Sequence, residues 1–351
     1  MKDIAEVFKF INYYALSKVW YKCNSIDIRV RDFNNISSKV KAWLYADQLE
    51  KPEEIVLYRP TTFGGLGLHH IEFKAKAMLT RSFLETAGNT TFLTSLYHSS
   101  LFNYHILQER LSPDPGFPPY YSPEFFSFIR YIHENSTSDV TKLSSSQWYE
   151  LMIENLIKVP SDDEHTPKQY TPCRAELSNP HNDWENTWRL ARLPGLGSEI
   201  TTFLWRMLHK LLPTQDRVHR MVRNQNASPN CQLCDEETLE NQQHAFFQCS
   251  FNANAGASLL RGLSGLVPGI TSDQVLLLDI EPEAADDEHP AVWLVGHYLS
   301  SIWASRVAKK AIRLYSIRTD LEARASLLSE TRFNNCGAKT KNLIQLCFSN
   351  L

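Results

Sequence analysis

The 351-residue sequence lacks any apolar run approaching the roughly 18 residues that a membrane-spanning helix requires, so no membrane partner is expected. Its opening, MKDIAEVFKF, carries acids and has no apolar core followed by small residues. No secretory leader is therefore expected, and the expected location is nuclear or cytoplasmic. Nor is there a surplus of either charge: 36 Lys and Arg stand against 39 Asp and Glu, for a net charge of -3. That excludes the chain as a general polycation, and any contact with a polyanion must come from local patches. Cysteine is scarce as well. Of seven cysteines, Cys23, Cys173, Cys336 and Cys347 are scattered and read as reduced, unpaired thiols.

Catalytic patterns are also missing. The stretch GGLGL at Gly64 has neither the third glycine of a dinucleotide fingerprint nor the Lys-Ser/Thr of a phosphate loop, and it reads as a tight turn. Ser264, in GLSG, stands one residue short of a nucleophile elbow. His69 and His70 are adjacent, so their side chains diverge and a second metal site is not expected. A nucleotide polymerase needs two carboxylates on a strand-turn-strand hairpin to hold magnesium. LYADQLE at Leu44 offers Asp47 but puts Gln48 where the second carboxylate belongs, while Asp162-Asp163 and Asp286-Asp287 sit in polar, Pro-bounded stretches. No catalytic residue is assigned.

What the sequence does contain is helical periodicity with one unusual insert. Val7, Phe8, Ile11, Tyr14 and Ala15 fall on one helical face, and helices are expected over Ile36–Leu49 and Ile71–Ala87. Between 91 and 183 the pattern loosens, with five prolines from Pro113 to Pro123 and a polar, Pro-punctuated linker before Trp184. A further helix is expected from an N-cap at Ser198 to about Leu212, stopped by Pro213, and another from Thr214 to about Arg223. After an acidic stretch, a long helical pattern runs from Pro290 to Glu330, with Val292, Val295, Leu299 and Ile302 forming a buried stripe. The expected fold class is mostly α: a helical region over 1–90, a loop-rich middle over 91–183, a metal-binding module over 184–255 and a helical tail over 256–351.

The insert is CQLCDEETLENQQHAFFQC. Cys231, Cys234, His244 and Cys249 follow a C-x2-C, x9, H-x4-C spacing. A C-x2-C turn delivers two thiolates from one knuckle, and a histidine with a third cysteine completes the four ligands that zinc prefers. With every position filled by protein, a zinc ion there would be structural rather than catalytic. The alternative is a set of buried cysteines beside an unrelated histidine. Two basic clusters could meet phosphate: Arg206, Lys210, Arg217, Arg220 and Arg223, with one acid among them, and Arg306, Lys310 and Arg313 within a run free of acids. Arg206 and Lys210 are one helical turn apart, leaving Leu204, Leu208 and Leu211 to pack inward. Arg306, Lys310 and Arg313 are expected at helical spacing on the side away from the apolar stripe. For either cluster the alternative is a solvated helix face.

The stretch FLWRMLHKLLPTQDRVHRMVRNQNASPNCQLCDEETLENQQHAFFQC resembles the zinc-binding segment that follows the polymerase domain in LINE-type (non-LTR) retrotransposon reverse transcriptases. The matching positions are Trp205, Arg206, Leu212, Pro213, Thr214 and Arg217, then the four ligands, with a longer loop before His244. RPTTFGGLGLHHIEFKAKAML, after a helix carrying Trp43, is similar to the thumb-like region beyond the palm of the same family. VWLVGHYLSSIWASRVAKKAIRL resembles its helical tail, which carries an I-W-x-x-R element. The resemblance implies a C-terminal portion without its palm, holding element RNA or target DNA beside a polymerase encoded upstream or separately. Two other readings stay open: a zinc-stabilised protein-interaction module or retrotransposon remnant, and a restriction-like endonuclease, against which the helical tail counts.

Overall fold

The computed structural model describes residues 10–23, 30–45, 52–87, 142–157, 174–178, 183–221, 228–234, 236–280, 289–330 and 334–349. Among these residues the protein is helical, and its only β pairing is a single antiparallel bridge between Asn230 and Leu239. Most of the loop-rich middle expected over 91–183, with Cys173 and both Asp162 and Asp163, lies outside the described residues, as do Asp286, Asp287 and Arg223.

A short π-helix, Ile11–Ala15, leads into α1 (Ser17–Cys23), followed by α2 (Val30–Tyr45), α3 (Glu54–Tyr58), α4 (Ile71–Ala87) and α5 (Ser145–Ile157). α4 has the expected bounds; α2 starts earlier than expected, and residues 46–49 of the expected helix lie outside the described residues. Leu44 and Tyr45 lie in α2, so the start of LYADQLE is helical and not a strand, while Asp47 and Gln48 lie outside the described residues. Trp148 is fully buried, and α5 lies along α4, whose Ala75, Ala77 and Leu79 are buried as well. The glycine turn expected at Gly64 is present: Gly64 (φ 77°) ends a 3-10 turn, Thr61–Phe63, and Gly67 (φ 65°) turns the chain again before α4.

The second half comprises α6 (Arg174–Leu177), α7 (Trp184–Leu190), α8 (Ser198–Leu208), α9 (Gln215–Met221), a π-turn His244–Gln248, α10 (Ala253–Ser264), α11 (Ser272–Leu277), α12 (Pro290–Val307), α13 (Leu314–Ser329) and α14 (Asn334–Cys347). α12 is its axle. The expected stripe of Val292, Val295, Leu299 and Ile302 is buried, and so are Trp293, Leu294 and Tyr298, so this helix is enclosed on every side through its first turns. α8 crosses it at Gly296, where a Cβ would come within 2.7 Å of Ile200. α10, α13 and α14 close the rest, with Gly262 against Cys347.

Two expectations about helix ends are corrected. α8 starts after an N-cap at Gly197 (φ 79°) with no side-chain cap, so Ser198 is its first helical residue, and it ends at Leu208 rather than near Leu212. The pattern from Pro290 to Glu330 is two helices, broken after Val307. Both breaks have one cause. At each, a lysine takes the left-handed conformation, Lys210 (φ 54°) and Lys309 (φ 51°). The amides then reach back two ways: Lys210 to Met207 and Leu211 to Arg206, and likewise Lys309 to Arg306 and Lys310 to Ser305. These are Schellman caps with lysine in the place usually held by glycine.

Candidate metal centre and basic groove

Chain segment 228–240 folds back on itself through the Asn230–Leu239 bridge, with the amide of Cys231 bonded to Thr238 O at 2.9 Å and that of Glu240 to Pro229 O at 3.0 Å. This brings the Cys231–Cys234 knuckle to the base of the following π-turn. The amide of Leu233 points at Cys231 Sγ from 3.4 Å. In a straight α-helix, residues five apart lie about 140° apart around the axis. The π-turn His244–Gln248 removes that mismatch, its last bond running from Cys249 N to His244 O at 2.8 Å, and His244 and Cys249 face the same point.

The donor atoms of Cys231, Cys234, His244 and Cys249 all lie within 4.8 Å of one another. Cys231 and Cys249 sulfurs are 3.7 Å apart, and Cys234 Sγ is 3.4 Å from His244 Nε2. A sulfur pair at 3.7 Å is far too long for a disulfide. Zinc–sulfur and zinc–nitrogen bonds of about 2.3 and 2.0 Å at tetrahedral angles place two sulfurs about 3.8 Å apart, and sulfur and nitrogen about 3.5 Å apart. Those two separations match that ion. Cys231, His244 and Cys249 are buried and Cys234 is partly covered. Burial, together with the neighbouring sulfurs, pushes the Cys234 thiol up to about 11. A divalent cation relieves that crowding of thiolates, which is the chemistry this donor set is suited to.

The basic residues divide. Arg206, in the last turn of α8, is half-buried, and desolvation lowers its guanidinium's pKa. Lys210 is exposed, with Nζ donating to Ser178 Oγ at 3.0 Å. On α9, Arg217 is half-buried and drawn down to about 10 by desolvation and then by Arg220. Arg220 is exposed and pairs with Asp216 at 2.7 Å. Lys210, Arg217 and Arg220 line one open groove of about 640 Å³ together with the carboxylates of Glu53, Asp216 and Asp273 and with Asn241–Gln243, the residues just before His244. Arg206 does not line it. In the second cluster, Lys310 and Arg313 are exposed between α12 and α13, not on a helix with Arg306.

Arg306 itself is the main correction. Expected on the outer side of α12, it is 5% exposed and turned inward. Its Nη2 donates to Cys231 Sγ at 3.0 Å and pairs with Glu240 Oε2 at 2.5 Å. It cannot also serve a phosphate. Glu240 in turn accepts the amide of Gln215 at 3.3 Å on Oε1, and its carbonyl accepts that of Asp216 at 3.2 Å. A chain of polar contacts thus runs from metal-site sulfur through Arg306 and Glu240 to the first turn of α9.

A second constellation was not anticipated from sequence. Trp205 Nε1 donates to Gly64 O at 2.7 Å and His209 Nε2 meets the same oxygen at 2.9 Å, while Arg192 bonds Gly65 O at 2.8 Å. Arg59 forms a two-pronged buried pair with Glu176 at 3.0 and 2.9 Å, and Trp188 Nε1 donates to Glu176 at 2.8 Å. The glycine turn is therefore seated on α7 and α8. The sequence signal was present only as isolated aromatic and glycine positions on segments far apart in the chain.

With the geometry established, comparison with known proteins decides what kind of segment this is. Residues 167–255 match the family model for zinc-binding in reverse transcriptase. All four donor residues fall inside the match, so this part of the chain is a reverse-transcriptase-associated region with a cluster able to hold zinc. No curated protein matches the chain. Among the described residues, no helix is long and apolar enough to cross a membrane.

Proposed function

We propose that the chain is the C-terminal portion of a LINE-type reverse transcriptase, in which a structural zinc ion bound by Cys231, Cys234, His244 and Cys249 fixes a nucleic-acid-binding groove. The groove bearing Lys210, Arg217 and Arg220 holds the backbone of element RNA or target DNA beside a polymerase domain, in the nucleus or cytoplasm where such templates are found. Lys310 and Arg313 add a second, looser patch. One observation carries the reading: the helix that bears Arg217 and Arg220 is hydrogen-bonded through Glu240 to the residue that touches the metal-site sulfur. Zinc would act as a cross-link that orients α9, and the arginines would contribute charge without reading base sequence.

The test uses the full chain, measuring zinc content and binding to RNA and DNA oligonucleotides across a salt series. One equivalent of zinc is expected. Three phosphate contacts give a slope of log affinity against log salt of about -2 to -3, and substituting Arg217 and Arg220 by Gln removes about 1 to 2 of it. Stoichiometric zinc with no salt-dependent affinity would instead support a protein-interaction module, and metal-dependent cleavage of DNA would support the nuclease.

A further inference from the structure

We propose that Arg306, outside the matched segment, sets the affinity of the metal site by donating a hydrogen bond to the Cys231 thiolate, and that this is the purpose of the I-W-x-x-R element Ile302–Arg306. The inference rests on the zinc reading above and extends the site to a residue that neither the ligand spacing nor the family match includes.

Four observations support it. Arg306 is buried, and its Nη2 lies 3.0 Å from Cys231 Sγ, a charge-assisted contact to a ligand atom. Its position is held from the other side by Glu240. Trp303, one turn earlier on α12, lies against Phe246 of the π-turn with ring centroids 5.9 Å apart, so the helix face that carries Arg306 is docked on the element bearing His244 and Cys249. Lastly, the usual point of support for a metal-binding imidazole, its second ring nitrogen, has no hydrogen-bond partner here: His244 Nδ1 is buried and unpaired. The sulfur side carries the support.

The charges explain why an arginine is required. A zinc ion with three thiolates and a neutral imidazole carries a net charge of about -1. Buried without a counter-charge, that anion is costly. The guanidinium places a positive charge directly on the sulfur side while it also pairs with Glu240, so that site, Arg306 and Glu240 together keep about one negative charge, and its planar fork reaches a sulfur and a carboxylate together, which a single ammonium does less well. Arg306 therefore sets a positively charged donor against the Cys231 sulfur and, through Glu240, transmits the occupied geometry to α9.

The experiment compares the full chain with Arg306→Lys, Arg306→Met and Glu240→Gln, measuring zinc dissociation constants by competition with a chromophoric chelator and the thiolate-to-metal charge-transfer band of the cobalt-substituted protein. Arg306→Met is expected to weaken zinc by about 10- to 100-fold and Arg306→Lys by about tenfold, with the cobalt band moved to lower energy as the sulfur loses its donor. Glu240→Gln, which breaks the same buried ion pair but leaves the donation to sulfur, is expected to weaken zinc less than Arg306→Lys. Should Arg306→Met not fold, Arg306→Lys decides. Zinc affinity in Arg306→Lys within about twofold of the parent, or an equal loss in Glu240→Gln, would overturn the inference and leave Arg306 a packing residue. A parent chain that binds no zinc at all would sink the underlying reading instead.

Discussion

The carbonyl of Gly64 accepts two side-chain hydrogen bonds, from Trp205 and from His209, and the ring of Trp188 covers the same residue. A Cβ on Gly64 would lie 2.4 Å from the Trp188 ring, in a backbone conformation (φ 77°) that side chains resist. The left-handed conformation costs about 1–2 kcal/mol and forced overpacking about 1–3 kcal/mol more, so Gly64→Ala should destabilise by about 2–5 kcal/mol in urea unfolding. His209 permits a separate check. Facing a carbonyl, its Nε2 must carry the proton, and it stacks on Trp188 and lies tilted against Trp205. Burial lowers its pKa from 6.5 to about 4, against smaller opposing effects from the Gly64 carbonyl and Glu176. As pH falls the unfolded chain binds this proton first. The contribution to stability is therefore whole above pH 6.5 and is lost progressively down to about pH 4. An NMR titration of the His209 ring should show a midpoint near 4, and a midpoint near 6.5 would mean that the ring is not seated on the turn.

At the level of elements, the Schellman caps explain what could be read from the sequence and what could not. Sequence rules look for glycine just past a helix end. Lys210 and Lys309 stand there instead, so α8 is expected to run four residues too far and α12 to fuse with α13. The chemistry of the ligands is local and survives such errors: Cys231, Cys234, His244 and Cys249 converge because a knuckle and a π-turn are both short-range structures. Helical class and the α12 stripe are legible for the same reason, since periodicity is local. The orientation of Arg306 is not, because the last turn of α12 leaves Ala304 and Val307 exposed and the arginine is drawn inward by Glu240, which comes from a distant loop. The cap makes a prediction of its own. Lys309 is exposed, so replacing it by Gly removes about 1–2 kcal/mol of left-handed strain while the added freedom of the unfolded chain returns about 0.4–1 kcal/mol. Lys309→Gly should raise stability by about 0.5–1 kcal/mol, seen as a higher denaturation midpoint at unchanged slope.

Across the described residues, most buried apolar side chains form one cluster that runs from Ile11 to Phe348, and the Arg59–Glu176 pair ties the glycine turn to α6 within it. The metal site lies at one side of this cluster, joined by Phe246 packing on Phe203 and Trp303. Segment 228–240, by contrast, contributes few apolar groups and one backbone bridge among its described residues, so apart from the polar contacts of Glu240 and Cys231 with Arg306 and α9 its hold rests on a bound ion. A structural zinc supplies on the order of 10 kcal/mol, as much as the stability of an entire domain. Its removal should therefore melt the segment locally before the shared core fails. Hydrogen exchange on the zinc-loaded and chelated full chain separates the two regions. Amide protection at Cys231, Glu240, Ala245 and Cys249, whose bonds close the ligand loops, should fall to that of exposed backbone after chelation, and protection at Gln215 and Asp216 should fall with it because both bond to Glu240. Protection in α5 around Trp148, remote from the ligand loops in the chain and packed on α4, should persist. If chelation leaves all of these amides equally protected, the fold of the ligand loops does not depend on an ion, and α9 owes its orientation to packing alone.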